Sequence, residues 1–379
     1  MKAEYIIGIV IVVLVGTGLG VLFVSPSAEK NSGGDGGAAE DVTDVTDMTG
    51  VANAVDGSAR KTQGTNMQKK PKPKGDPYKE IVNPSGFVNT DPITIKQFGG
   101  KKIILVDFLT YSCINCQRTF PYLNAWDEKY RDQGLEIIGI HTPEFAFEKN
   151  IDNVRKAMQK FGITHPIVLD NEYSTWNAWG NRFWPRKYLI DIYGNVVYDH
   201  IGEGAYEETE MKIRELLDER AKVLGEKMAA NTGSLASKSV VQAGSSAKSP
   251  ETYFGSDRNE YLGNGKQGVK GTQEFTIPGV TKSNTLYLGG KWNITGEYAE
   301  NAAANAKIFY KFEAKNVHFV AGADAPVDIT VILDGKNIGM HTIQANTLYT
   351  LVSNAPMGEH ALEIVINSPG LEAYTFTFN

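Results

Sequence analysis

Apolar and polar positions divide the chain into five stretches of different character. Residues 5–24 carry no charge and are dominated by Ile, Val, Leu and Gly. A run of about 20 such residues is long enough to cross a bilayer as a helix. The apolar core of a cleaved signal peptide is shorter, about 7–15 residues, so this run reads as an uncleaved signal-anchor with residues 1–4 cytoplasmic and the body outside. Residues 25–77 are rich in Gly, Ala, Asp, Thr, Lys and Pro, with too few apolar side chains to offset chain entropy, and read as a flexible linker. Residues 78–222 alternate strand-like and helix-like runs. The continuous apolar run 103–109 predicts a buried strand, 113–130 a helix with Ser112 as N-cap, 135–141 a strand, 148–161 a helix and 166–170 a short strand. Runs 187–191 and 196–201 are joined by a hairpin turn at Ile192-Tyr193-Gly194-Asn195, and 206–217 is an amphipathic helix. A βαβ alternation closed by a hairpin and a helix predicts a mixed sheet flanked by helices. After a second small, polar linker at 223–250, residues 251–379 show only short alternating runs (285–288, 308–312, 317–321, 327–333, 348–352, 361–366 and 374–378) broken by turns such as Asp334-Gly335. That spacing predicts an all-β, jelly-roll-like sandwich.

Composition narrows the function. A net charge of -6 gives no electrostatic footprint for nucleic acid. The chain holds just two cysteines, so its cores do not depend on a disulfide framework. Both stand in one motif, Cys113-Ile114-Asn115-Cys116, directly after the predicted buried strand and at the start of a helix. Free N–H groups at a helix N-terminus favour negative charge, so they stabilise a thiolate, the nucleophile of disulfide exchange. A second thiol three residues on can then close the ring and release the substrate. Competing readings are weaker. A staple closing so short a loop stabilises by only about 2 kcal/mol. Zinc needs about four ligands, and no second cysteine pair or spaced histidine pair supplies them. Haem attachment needs histidine after the second cysteine, where Gln117 stands. No cofactor beyond the cysteine pair is expected, and no metal.

The segment Ile104-Leu105-Val106-Asp107-Phe108, with cysteine six residues after the aspartate, resembles the central strand of thioredoxins. The stretch His141-Thr142-Pro143-Glu144-Phe145, then Pro185 with Tyr188-Leu189-Ile190-Asp191, looks like the TlpA-type membrane-associated thioredoxins. Tyr111-Ser112-Cys113-Ile114-Asn115-Cys116-Gln117-Arg118, with a C-terminal β domain ending near Ala373-Tyr374-Thr375-Phe376, is most similar to the extracytoplasmic part of DipZ-type proteins. Those chains begin with a multi-helix electron-carrying membrane domain, where this sequence has a single apolar run.

The resemblance implies a thioredoxin-like fold and a role for each matching residue. Cys113 is the attacking thiolate and Cys116 the resolving thiol. Asp107 is the buried acid that exchanges a proton with Cys116. Pro185 is a cis-proline facing the cysteines, exposing the Trp184 backbone to substrate. Tyr111 and Ser112 complete the expected substrate-binding residues. Several TlpA-type proteins carry glutamate three residues after the second cysteine; Thr119 stands there, and Glu144 is the candidate acid/base in its place. The expected activity is a membrane-anchored, extracytoplasmic thiol:disulfide oxidoreductase, a reductase or isomerase of protein disulfides. Its expected electron source is a separate polytopic membrane thiol donor. Two alternatives stay open: a thiol peroxidase, since Thr110-Tyr111-Ser112-Cys113 has T-x-x-C spacing, and a surface binding protein whose thioredoxin-like unit is a scaffold. Trp292, Tyr298 and Tyr349 are placed to stack on a glycan if the β domain binds one. The β domain is otherwise expected to be dispensable for the chemistry, with the whole site inside 78–222.

Overall fold

A computed structural model describes residues 75–227 and 247–379, which fall within one compact unit, Lys69–Asn379. The expected anchor at 5–24 and most of both linkers lie outside the described residues. Among the described residues no helix is long and apolar enough to cross a membrane.

The first domain is a seven-stranded mixed sheet with helices. Its strands are β1 (Asp76–Pro77), β2 (Gly86–Val88), β3 (Ile103–Leu109), β4 (Leu135–His141), β5 (Ile167–Leu169), β6 (Arg186–Ile190) and β7 (Asn195–Ile201), in the order β1-β7-β6-β3-β4-β5-β2. Strands β3, β4 and β5 run parallel, and β6 and β7 form the antiparallel hairpin. All seven residues of β3 are buried, because the sheet is covered on both faces, which explains the unbroken apolar run. The helices are α1 (Ile114–Tyr130), α2 (Ile151–Lys160), α3 (Ser174–Ala178) and α4 (Tyr206–Leu224). The helix expected over 148–161 is split: Ala146–Lys149 forms a 3₁₀ turn, and Asn150 caps α2 by accepting the Asp152 N–H at 2.8 Å. The short strands β1 and β2 and helix α3 carried no legible period.

The second domain has eleven strands: β8 (Thr252–Tyr253), β9 (Gly271–Phe275), β10 (Leu286–Ile294), β11 (Ala299–Asn301), β12 (Ala306–Glu313), β13 (Val317–Gly322), β14 (Val327–Leu333), β15 (Lys336–Ile343), β16 (Thr347–Val352), β17 (Glu359–Ile366) and β18 (Glu372–Phe378). They form one large, nearly barrel-like β structure ordered β15-β14-β17-β12-β10-β11-β18-β13-β16, with β8 on β18 and β9 on β10. Strand β10 joins its two halves. Residues 286–289 pair with β12, and from Gly290 onward the strand pairs with β9 and then β11. Gly290 sits at that switch with φ +84, a conformation that side chains with a Cβ avoid. Strands β12, β14 and β17 bury alternate residues over one core. Strand β13 is buried at all six positions and β18 at most of its own, because their outer face carries the first domain: Val320 and Tyr374 pack with Ile114, Phe145 and Leu348.

One expectation fails here. Trp292 is fully buried in the β core and donates its indole N–H to the Gly289 carbonyl at 3.0 Å, so it cannot stack on a sugar. Tyr298 packs on Tyr374, with ring centroids 5.0 Å apart, and the Tyr349 hydroxyl donates to the Ala345 carbonyl.

Candidate active site

The end of β3 delivers the chain to the cysteines. Cys113 is the N-cap of α1, in extended conformation (φ -75, ψ 120), and its carbonyl accepts the Gln117 N–H at 3.0 Å. Ser112, expected as the cap, is not; its hydroxyl points into the protein instead. Cys113 is partly exposed and Cys116, one turn further in, is fully buried; both are free thiols. Burial foremost, then the hydrogen bond to Cys113, raises the Cys116 pKa well above the ordinary thiol range. The outer thiol therefore holds the favourable end of the helix, while the inner one stays protonated until a base relieves it.

A buried carboxyl lies near Cys116. Asp107 on β3 is fully buried, and neither carboxylate oxygen has a hydrogen-bond partner. Burial pushes its pKa up to about 7, a rise moderated by the charge of Lys187. Asp107 is also one of the charges that raise Cys116. Lys187 is the register partner of Asp107 on β6, is itself fully buried, and donates to the Gly202 carbonyl at 3.1 Å. Burial lowers its pKa, and Asp107 partly restores it. Sequence reasoning missed Lys187. The signal was a lysine inside an apolar strand, directly between the proline loop and Tyr188-Leu189-Ile190.

Opposite the cysteines, the Trp184–Pro185 peptide bond is cis. The Trp184 indole is pinned by its N–H to the Thr142 carbonyl at 3.1 Å, and Trp184 lines the same cleft as Ser112 and Cys113. Tyr111 is buried, and its hydroxyl donates to the Asn346 carbonyl of the β domain at 3.2 Å. It serves the domain junction and does not line the cleft.

Two glutamates stand beside the cysteines where one was foreseen. Thr119 is buried and donates to the Asn115 carbonyl. Glu144 lines the cleft, but its carboxylate accepts from Arg258 and from the Tyr253 hydroxyl, both at 2.8 Å and both in the β domain. Glu148, read as a helix residue, is fully buried. One of its oxygens accepts the Ser112 hydroxyl at 2.6 Å and the Ser112 N–H at 3.2 Å. The other accepts the N–H groups of Glu144 and Phe145 at 2.6 and 3.0 Å. Burial raises its pKa and the Ser112 hydrogen bond opposes the rise. A hydrogen-bonded path thus runs from Arg258 through Glu144 and Glu148 to the residue before Cys113. Glu148→Gln removes acceptors that an amide nitrogen cannot replace, so it should cost about 1–3 kcal/mol in a denaturant titration. It should also change the rate at which Cys113 is alkylated; an unchanged alkylation rate would reduce Glu148 to a structural residue.

The site is not confined to 78–222. Ile114, inside the cysteine motif, is buried against Val320, Leu348 and Tyr374 of the β domain. The cleft beside Cys113, with a volume of about 340 Å³, is walled on one side by Asn115, Arg182, Phe183 and Trp184 and on the other by Glu251, Tyr253, Arg258 and Phe378. Arg118, one turn into α1, donates to Asn115 at 2.5 Å, and its charge is taken up by Glu203 at 2.6 and 2.7 Å.

The fold and site define a thioredoxin-like domain with a dithiol centre, docked on a β domain. Residues 73–217 match the Redoxin family model, and residues 249–379 match that of the Thioredoxin like C-terminal domain. Protein DipZ of Mycobacterium tuberculosis (strain CDC 1551 / Oshkosh) is 37% identical over 297 residues, covering 78% of this chain and 41% of DipZ. Thiol-disulfide oxidoreductase ResA of Halalkalibacterium halodurans is 29% identical over 133 residues, 35% of this chain and 70% of ResA. A solved thioredoxin-like protein in the oxidized form aligns with 38% of this chain and 97% of its own length, at 24% identity and a TM-score of 0.36. The chain belongs to the thioredoxin-like proteins of DipZ and TlpA type. It spans under half the length of the DipZ proteins it matches.

Proposed function

We propose that this protein is an extracytoplasmic thiol:disulfide oxidoreductase that reduces protein disulfides. The observation that carries the reading is the asymmetry of the cysteine pair: an accessible thiol at the cap of α1, and a buried thiol beside an unpartnered buried carboxyl. The relatives named thiol-disulfide oxidoreductase support it.

The steps balance as follows. The Cys113 thiolate attacks one sulfur of a substrate disulfide. The substrate S–S bond breaks, its other sulfur leaves as a thiolate and takes a proton from solvent, and a mixed disulfide forms. Asp107, in its ionised form, accepts the proton of Cys116. The Cys116 thiolate then attacks Cys113, the mixed disulfide breaks, and the second substrate sulfur leaves as a thiolate. Two electrons have passed from the dithiol to the substrate, and the protein holds a Cys113–Cys116 disulfide. Lys187 keeps the Asp107 charge bearable in a dry interior.

Each turnover consumes the dithiol, so a donor must restore it. We assign that role to a separate polytopic membrane protein with paired thiols. The apolar segment 5–24 is the anchor that keeps the protein beside it. The test is the redox state of the pair in cells. It should be largely reduced, and become oxidised when membrane thiol carriers are deleted. A pair that is oxidised in normal cells would favour an oxidase instead.

A further inference from the structure

The cleft beside Cys113 has two walls, and the second is supplied by the β domain. Trp184, with its indole pinned, and Phe183, 48% exposed, form an apolar lip on the thioredoxin-like side. Facing them, Tyr253 carries the Arg258 guanidinium over its ring at 3.6 Å, and Arg258 is in turn held by Glu144. That ion pair closes the back of the cleft and leaves neither partner free for a substrate. Glu251 is different. It lines the same cleft, solvent reaches it, and the Thr377 hydroxyl donates to its carboxylate at 3.0 Å. Among the described residues no cation forms a direct ion pair with it, although the charge of Arg258, held by Glu144, also reaches it. On the opposite lip Arg182 is exposed and donates to the Asn181 carbonyl. A volume of about 340 Å³ lies at the small end of the range for enclosing pockets, about 300–1,000 Å³. A disulfide on the face of a folded domain would have to bring that face between two rigid walls.

We propose that the β domain is the substrate-selecting half of the redox site. It admits a disulfide carried on a single extended polypeptide segment, and Glu251 receives a cationic side chain next to the substrate cysteine. The proposal rests on the oxidoreductase reading and narrows its substrates. One such charge contact in the cleft changes a rate constant by roughly tenfold. The protein atoms packed around its carboxyl in the cleft and the nearby charge of Glu144 raise the Glu251 pKa, while hydrogen bonds from Tyr253 and Thr377 and the charge of Arg258 oppose the rise. The assay therefore belongs at pH 8, where the carboxylate is ionised.

The experiment measures kcat/KM of the full chain, reduced beforehand, on two unstructured peptides with one disulfide each. They are identical except for lysine or glutamate beside the cysteine. A folded protein with the same flanking residues around a surface disulfide is the third substrate. The lysine-to-glutamate ratio should fall about tenfold in Glu251→Gln and invert in Glu251→Lys, and the folded protein should react at least about tenfold more slowly than the peptides. A ratio that neither variant moves, or a folded substrate reduced as fast as the peptides, overturns the proposal and leaves the oxidoreductase reading standing. Absence of exchange with every disulfide, including a small aromatic disulfide reagent, overturns both.

Discussion

Cys116→Ser should turn the protein from a turnover catalyst into a trap. Cys113 remains at the cap of α1 and still attacks, but no thiol is left to resolve the mixed disulfide. Client proteins should accumulate as covalent adducts on non-reducing gels and be released by added thiol. Cys113→Ser should form no adducts and should lower the reduction of any disulfide to the uncatalysed background. The remaining Cys116 is fully buried, and its pKa is raised by burial. It therefore lacks both the access and the thiolate fraction that exchange requires. Equal trapping by the two variants, or preferential alkylation of Cys116 at neutral pH, would reverse the assignment.

Asp107→Asn should slow the second step and leave the first nearly intact. An amide keeps the shape of the carboxyl but cannot take the Cys116 proton. A positioned general base is worth about 10²–10⁴-fold, so loss of about 10²-fold in the resolution rate is the expected scale. The pH profile carries the sharper signature. With a folded-state pKa near 7, Asp107 is protonated and idle in acid, so resolution in the parent should rise as pH increases through about 7. In Asp107→Asn that inflection should vanish, leaving a rise governed by the thiol alone at higher pH. Stopped-flow measurement of resolution from pH 6 to 9 decides the matter. Coincident profiles would make Asp107 a structural residue. Lys187→Met probes the same pair from the other side. Without its cation the Asp107 pKa should climb, and the inflection should move to higher pH.

The parts of the site that were legible in the sequence are those set by local pattern. Strand β4 spans Leu135–His141 and β14 spans Val327–Leu333, as expected, because their burial follows the apolar run or the alternation directly. The turn at Asp334-Gly335 was legible for the same reason: both residues have positive φ, as a tight hairpin turn requires. The cysteine pair was legible from its own spacing, whereas Asp107 and Pro185 entered through the resemblance to thioredoxins, and the Trp184–Pro185 bond is cis as that resemblance implied. What escaped depends on which distant segments meet. Glu148 stands at the start of a run read as helix, and nothing local says that its carboxyl turns inward to hold Ser112. Lys187 becomes meaningful only once β6 is laid against β3. The burial of Ile114 under Val320 and Tyr374 makes the motif part of a domain interface. For the same reason the β domain looked dispensable in sequence, whereas it supplies Glu251, Tyr253 and Arg258 to the cleft.

The central claim is that Cys113 and Cys116 form a reducing couple, and its reduction potential tests this most directly. The motif holds no charge of its own, and the nearby Arg118 is neutralised by Glu203. Beyond the helix terminus, little therefore stabilises the reduced thiolate. Strong oxidants owe their poise to such stabilisation, near about -120 mV, whereas thioredoxin lies near about -270 mV. Equilibration of the full chain with glutathione buffers, read by the fraction of alkylated thiol, should place the couple below about -200 mV. A value near about -120 mV would contradict the account and mark the protein as a donor of disulfides.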